Sequence, residues 1–413
     1  MQVVLEQRQS AGDLGVARLI NEDLLTCREI LVITGIRRCG KSVLLRQIQS
    51  RMHEKDYYLN FDDERLLNFK VEDFQTLCEV FLENFGEQKT FYLDEIQNVE
   101  GWERFVSRLY NQGCKVFVTG SNANLLSREL GTFLTGRHVT KELYPFSFSE
   151  YLSFKSLKWD NTAFYTTAGK AELLKFMKEF LFYGGFPQYI ENHNDNYLQS
   201  LYSDILYRDV LVRNNISNAK QMRELIYFLA SNATQRFTYN SLAKAINMKA
   251  SDTVKSYISF IEETFLVTQL VKFDYSMKLQ TRSPKKIYFI DNAIINKIGF
   301  NATDNQGRLL ENAVFIELKR RGCDVYYHCN GAECDFVIRT GINITQAIQV
   351  TVAMTSETTE KRERGGLLSA MDAYELNEGT IITLDESKDI RTDDGRIIHI
   401  VPAWKWMLED KQL

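Results

Sequence analysis

A glycine-bounded loop set between a strand and a helix constrains this chain more than any other feature. Residues 30–48 read ILVITGIRRCGKSVLLRQI and contain GIRRCGKS, which satisfies G-x-x-x-x-G-K-[ST] with Gly35, Gly40, Lys41 and Ser42 in place. The run ILVIT is apolar and β-branched, as a buried parallel strand should be. The run SVLLRQIQSRM places Val43, Leu44, Gln47 and Ile48 at helical spacing. Strand, loop and helix N-terminus in that order aim backbone N–H groups at an anion, and the helix dipole adds positive potential. Gly35, Ile36, Arg37, Arg38, Cys39, Gly40, Lys41, Ser42 and Val43 are therefore the expected phosphate cradle. Lys41 is placed for the terminal phosphates of a nucleotide and Ser42 for Mg²⁺. A chance glycine loop would lack one flank or the other.

At 413 residues the chain has room for two to four domains with real cores. Its 44% hydrophobic and 25% charged residues describe a globular protein. No apolar run reaches membrane-spanning length, and MQVVLEQRQSAGD lacks a signal peptide's basic start and continuous apolar core, so a cytoplasmic location is expected. A net charge of −4 argues against a whole-molecule polyanion binder but leaves room for local basic patches. Seven cysteines without a C-x-x-C pair suit a reducing compartment. The tightest group, Cys323, His328, Cys329 and Cys334, matches no common zinc spacing, and packing within strands explains it better.

Residues 1–29 read as a lead-in with one amphipathic helix, GVARLINEDLL. After the loop, YYLNFDDERLL at 57–67 reads as a short strand ending in acidic Asp62, Asp63 and Glu64, which fit an exposed turn as well as a metal. A helix, VEDFQTLCEVFLENFG, leads to TFYLDEIQNV at 90–99. An apolar strand ending in Asp94-Glu95 delivers carboxylates to the sheet edge where ligands bind in open α/β folds. Asp94 is the candidate Mg²⁺ ligand, and Glu95 the candidate base for an attacking water. The strand KVFVTGSN at 115–122 then presents Thr119, Ser121 and Asn122 beside Asp94, either on the γ-phosphate or as a plain polar turn. Arg137 follows a helix, NLLSRELGTFL, and precedes the strand HVTKELY. It suits a finger presented to a neighbouring subunit's nucleotide, and equally a solvated loop arginine.

The succession GIRRCGKS, LDEIQ, TGSN, TGR and LYPFSFSEYL resembles prokaryotic AAA-type ATPases of the additional-strand, catalytic-glutamate class. Within them it resembles members that carry a C-terminal domain of unknown function, and GGFPQYI at 184–190 and YRDVLVR at 207–213 fit the same group. The resemblance spans nearly the whole chain. It implies ATP and Mg²⁺ as cofactors, with Lys41, Ser42, Asp94 and Glu95 acting on them, Ser121 as a sensor and Arg137 as a finger. GTP is the rival nucleotide, but TKEL at 140–143 lacks the Asp of a guanine-reading segment.

The expected architecture is α/β throughout: a P-loop parallel-sheet ATPase domain at 1–145, a helical linker at 146–215, a winged helix-turn-helix at 216–300 and a restriction-endonuclease-like α/β domain at 301–413. In the linker, Gly184-Gly185 closes a helix that Pro187 cannot continue. Arg208 and Arg213, beside Asp209, suit a second sensor facing the nucleotide or ordinary surface ion pairs. TYNSLAKAINM and SDTVKSYISFIEETFLV have helix-turn-helix order, and the ribbon VTQLVKFD…KKIYFID has the basic tip SMKLQTRSPKK. Candidate DNA contacts are Lys255 on the second helix and Lys278, Arg282, Lys285 and Lys286 on the wing. The alternative partner is protein, because few basic residues lie on that helix.

In the last hundred residues, Glu311, Glu333 and Asp335 resemble the metal carboxylates of a nuclease fold. The tripeptide expected to carry a carboxylate and a water-positioning lysine reads Gln349-Val350-Thr351, so the site at Glu311, Asp335 and Gln349 is expected to be degenerate and nuclease activity unlikely. KRERGG at 361–366 reads as a solvated helix start, and VPAWKWMLED as a last strand.

Overall fold

The computed structural model describes residues 2–9, 14–121, 134–300 and 305–409, which form two compact units. The first comprises Met1–Tyr144 with Glu263–Phe265. Its sheet holds β1 (Ile30–Thr34), β2 (Tyr57–Asn60), β3 (Thr90–Asp94), β4 (Lys115–Gly120) and β5 (His138–Glu142) in the order β2-β3-β4-β1-β5. Every neighbouring pair is parallel. All residues of β1 and β3 are buried, as a sheet covered on both faces requires. Phe74 of helix Asp73–Phe85 stacks on Phe105 of helix Trp102–Asn111, with ring centroids 4.1 Å apart.

β4 lies between β1 and β3, so the strand carrying Asp94 is not the neighbour of the strand feeding the phosphate loop. The C-terminal ends of β1, β3 and β4 nevertheless fall on one edge, because parallel strands share a direction. Residues 14–22 are not helical, contrary to the expectation for GVARLINEDLL. Gln47 captures the segment instead: its amide donates to the carbonyls of Leu14 (2.6 Å) and Val16 (2.8 Å) and accepts from the N–H of Arg18 (2.9 Å). Those tertiary bonds replace the internal ones a helix would make. NLLSRELGTFL falls almost wholly outside the described residues.

The second unit comprises Pro145–Glu262 and Leu266–Leu413. It opens with helices Phe148–Phe154, Thr167–Tyr183, Pro187–Asn192 and Asp195–Asp204, continuing into a π-helical turn at Ile205–Val212. Gly184 ends the long helix at φ +68°, where a Cβ would lie 1.8 Å from Asp291 Oδ1. Next come helix Ala219–Ser231, β6 (Arg236–Phe237), helices Tyr239–Ala245 and Ser251–Glu262, β7 (Val267–Val271) and β8 (Lys285–Phe289). The sheet order is β6-β8-β7. The segment expected as an open basic tip contains a helical turn, Met277–Arg282.

Helix Gln306–Arg320 leads into β9 (Asp324–Asn330), β10 (Ala332–Thr340), β11 (Asn343–Val350), β12 (Glu378–Thr383), β13 (Lys388–Arg391) and β14 (Ile397–Pro402). These form one sheet in the order β13-β14-β12-β11-β10-β9. Helix Glu357–Ala373 packs on β10, and the absence of a side chain at Gly366 is what permits it: a Cβ there would lie 2.1 Å from Glu333 O. KRERGG is therefore the middle of a packed helix rather than a solvated start. The tail is part strand and part helix, since Ala403–Leu408 turns helical after Pro402 and buries Trp404 and Trp406.

Candidate functional site

The loop after β1 is held open by three left-handed residues, Gly35 (φ +143°), Arg38 (φ +67°) and Gly40 (φ +103°). Gly35 is obligatory, because a Cβ would lie 2.2 Å from Leu143 O. Helix Lys41–Arg51 starts at the motif's lysine, so its N-terminal N–H groups face the cradle. Lys41 is buried and donates to the carbonyls of Gly35 (3.1 Å) and Ile36 (3.2 Å). Arg18, which sequence reasoning did not single out, anchors the loop. Its guanidinium donates to Cys39 O (2.7 Å) and Tyr144 O (2.6 Å), tying the loop to the segment after β5. Cys39 is fully buried, and desolvation pushes its thiol up. Ile36 is buried with it, while Arg38 and Val43 are exposed and Arg37 and Ser42 are intermediate.

Asp94 is fully buried and gathers hydroxyl donors from three elements. Tyr58 of β2 donates to Oδ2 at 3.0 Å, Thr119 of β4 donates to Oδ1, and Ser42 adds a third hydrogen bond. Burial pushes the Asp94 carboxyl up, and those donors oppose the shift. Glu95 stands at φ +50°, ψ +42°, a left-handed conformation that costs a non-glycine residue about 1 kcal/mol or more. Its N–H donates to Thr119 Oγ1 (2.9 Å), which locks that conformation and turns the side chain toward Lys41. Lys41 Nζ lies 3.6 Å from Glu95 Oε1, and Gln97 Nε2 donates to Glu95 Oε2 at 2.5 Å. Burial pushes Glu95 up, but Lys41, Gln97, Arg37 and Ser121 more than reverse it, and the carboxyl is held below its ordinary value.

Lys41, Ser42, Asp94, Glu95 and Ser121 thus meet at one sheet edge, with Thr119 beneath them. Asn122 lies outside the described residues. Arg137 is elsewhere: it precedes β5 and its carbonyl accepts from Ile30 N at the start of β1, whereas the loop follows the end of β1. A strand of that length spans on the order of 15 Å, so Arg137 does not serve the nucleotide loop of its own chain. Its guanidinium donates to Ser107 Oγ (2.8 Å) and faces the Tyr110 ring.

A second constellation lies within the other unit and corrects two expectations. Lys286, expected on a basic wing, is buried at 2% exposure. Its ammonium meets Glu311 Oε1 (2.9 Å), Glu333 Oε1 (2.8 Å) and Asp335 Oδ1 (2.9 Å). A lysine from β8 thus stands among these carboxylates, although Gln349-Val350-Thr351 carries none. Gln349 is tied in as well, accepting from Asp335 N (3.2 Å) and donating to Glu363 Oε2 (2.6 Å). Burial pushes the Lys286 ammonium down, and Asp335 and Glu311 more than reverse this, leaving it raised. Burial and the Asp335 charge push Glu311 up to about 7, although Lys286 and Tyr288 oppose them. Among the described residues, no group of three or more His, Cys, Asp or Glu is disposed to hold a metal ion. Around Lys286 the reason is plain, since an ammonium stands at the centre of the carboxylates.

Lys255, Lys278 and Arg282 are exposed, and Lys285 is half-buried, donating to Thr281 O (2.8 Å) and Ser283 O (3.2 Å). His328 is buried between Tyr374 and Ser369, and burial lowers it to about 4, as suits a neutral core imidazole. No helix among the described residues is long and apolar enough to cross a membrane.

The strand order and this loop define a P-loop ATPase fold, and a family model described as an AAA domain matches residues 27–152. A model for a domain of unknown function matches residues 174–304. An uncharacterized protein of Methanocaldococcus jannaschii is 36% identical, covering 95% of this chain and 92% of its own length. One from Haemophilus influenzae is 30% identical, covering 92% and 94%. The chain belongs to the family of these proteins, with the AAA domain as its N-terminal part. Solved structures matched include the Thermotoga maritima RuvB Holliday junction branch migration motor (TM-score 0.29, 11% identity, 65% of this chain and 89% of that one). Another is a signal transduction ATPase with a tetratricopeptide repeat sensor from Pyrococcus horikoshii (TM-score 0.26, 12% identity, 75% of this chain), of which this chain spans about half, 47%. Superpositions this low carry no functional argument.

Proposed function

We propose that the N-terminal unit binds ATP with Mg²⁺ and hydrolyses it, and that hydrolysis drives a conformational switch. The observation that carries this reading is the meeting of Lys41, Ser42, Asp94 and Glu95 at one edge of a parallel sheet. The donor set fits Mg²⁺, since a buried carboxylate beside a hydroxyl offers the hard oxygens that ion takes. Ser42 and Asp94 would hold it, and it would neutralise phosphate charge. Lys41 and the loop N–H groups orient the phosphates, and Glu95 accepts a proton from the attacking water. Arg137 is offered to a neighbouring copy, in keeping with its distance from its own loop.

The test is steady-state ATP turnover by the wild type and Glu95→Gln, each with and without duplex DNA. The expected result is turnover that falls at least about a hundredfold in Glu95→Gln while binding of a slowly hydrolysed ATP analogue persists. An inert wild type, or a variant as fast as the wild type, sinks the reading.

For residues 216–300 we read a winged helix, supported by the helix order and the three-stranded sheet. DNA contact would use Lys255, Lys278, Arg282 and the half-buried Lys285; Lys286 is withdrawn from that set by its burial. One observation favours a protein partner instead: Tyr275, Met277 and Leu279 are 77%, 72% and 54% exposed beside those cations. Duplex affinity that falls steeply with salt would decide for DNA. We read the C-terminal sheet as a nuclease-like fold that does not cut, because the Lys286 ammonium stands where its carboxylates would gather a metal ion. Mg²⁺-dependent cleavage that vanishes in Asp335→Ala would overturn this.

A further inference from the structure

Beside Glu95 lies an acceptor with no partner. Gln97 is half-buried, and its carbonyl oxygen Oε1 is shut off from solvent without a hydrogen bond. The other end of the same amide is fixed, because Nε2 donates to Glu95 Oε2 at 2.5 Å. Which end is oxygen follows from chemistry: a flipped amide would set its carbonyl oxygen against a carboxylate oxygen. Gln97 is carried by a single turn, Ile96–Asn98, that follows directly from left-handed Glu95. The backbone conformation of Glu95 therefore brings two side chains two residues apart onto one spot. Buried acceptors are nearly always paired, so an orphan one in a catalytic cluster calls for an explanation.

We propose that Gln97 is the residue that positions the attacking water for Glu95. This rests on the hydrolysis reading above and deepens it. A water poised for in-line attack has two O–H groups to satisfy while its lone pair faces phosphorus. Glu95 accepts one and, in the reaction, takes that proton. Gln97 Oε1 accepts the other, and Nε2 keeps the carboxylate aimed. The water oxygen forms a bond to the γ-phosphorus, the bond to the β-bridging oxygen breaks, and ADP and phosphate leave. Lys41 now shares Glu95 with Gln97. Its move toward bound phosphates frees one carboxylate oxygen, and the small shift of Glu95 and the amide that follows opens Oε1 to the water. In the sequence its signal is scant, since a glutamine shortly after a carboxylate pair is common in loops.

The experiment uses the full chain and the near-isosteric Gln97→Met, which removes both hydrogen-bonding ends. Mg²⁺-ATP turnover and the Kd for the slowly hydrolysed analogue are measured for wild type, Gln97→Met, Glu95→Asp and the double variant. The expected result is a kcat about a hundredfold lower in Gln97→Met with the analogue Kd within twofold. In the Glu95→Asp background, where the carboxylate has already retreated from the water, the same change costs less than tenfold. A kcat within threefold of wild type overturns the assignment. So does a matching loss of analogue affinity, which would mark damage to the loop, or a full hundredfold cost in the Glu95→Asp background. A wild type that binds ATP without hydrolysing it overturns the hydrolysis reading itself and this assignment with it, and is distinguished by the first of the four measurements.

Discussion

Two buried lysines invite comparison. Lys41 and Lys286 are both almost without solvent exposure, yet their surroundings differ in kind. Lys41 rests on two backbone carbonyls and a carboxylate oxygen 3.6 Å away, contacts that are easily exchanged for phosphate oxygens. Lys286 is gripped by three carboxylates at 2.8–2.9 Å. The first is a cation held in waiting, and the second is a cation already spent on its partners. A buried charge is costly to leave unpaired, so the first arrangement is tolerated where a ligand is expected and the second where stability is at stake.

The largest effects should break this comparison cleanly. Lys41→Ala should abolish turnover and analogue binding, losing more than about a thousandfold in kcat/KM, while thermal unfolding changes little. Lys286→Met should do the reverse. Removing one partner leaves Glu311 and Asp335 crowded and without their cation, while Glu333 keeps Arg236 Nε at 2.9 Å, at a cost of about 3–5 kcal/mol in chemical denaturation. If Lys286→Met were as stable as wild type and also altered nucleic-acid or ATP chemistry, the cluster would have to be reassigned as a working site. If Lys41→Ala unfolded, the waiting-cation description would fail.

Asp291 sharpens the same point from the carboxylate side. It is buried, accepts from Gly185 N (2.6 Å) and Ala293 N (2.8 Å), and among the described residues makes no lysine ion pair of the kind Glu311 makes with Lys286. Desolvation pushes it up to about 7 from an ordinary 3.8, against the pull of those two N–H groups. The folded state therefore binds a proton more readily than the unfolded one. Stability contributed by the protonated acid is intact below pH 4 and is lost as pH rises toward 7. Asp291→Asn should flatten that slope, by up to a few kcal/mol, when denaturation midpoints at pH 4.5 and 7.5 are compared. An unchanged slope would place the titration elsewhere.

How much of this was legible beforehand follows the reach of each interaction. The phosphate loop and Asp94-Glu95 are local patterns: a motif, an apolar strand and a turn, each contained in a dozen residues. The Lys286 cluster is not. It joins β8, helix Gln306–Arg320 and β10, with Lys286 and Asp335 49 positions apart. A lysine beside Lys278, Arg282 and Lys285 at a turn reads as part of a basic tip until the strand alternation is fixed. Lys285 and Lys286 then point to opposite faces, and only one can be solvated. Arg18 was hidden for the same reason. Its segment has helical periodicity, and only Gln47, 29 residues on, explains why the backbone does not coil.

The smallest expected effect tests the neighbours of Lys286 that did reach the surface. Lys255→Gln, Lys278→Gln and Arg282→Gln should each leave stability within about 0.5 kcal/mol, because exposed side chains away from packed features contribute little. If these residues meet DNA phosphates, each change should lower the slope of log affinity against log salt by about one. The same three changes thus separate two uses of one surface. An unchanged slope means the cations do not touch phosphate, and the exposed Tyr275, Met277 and Leu279 beside them become the contact to mutate next. A reduced slope with unchanged stability assigns the charge to a partner, which is the opposite of what Lys286, one residue from Lys285, does with its own.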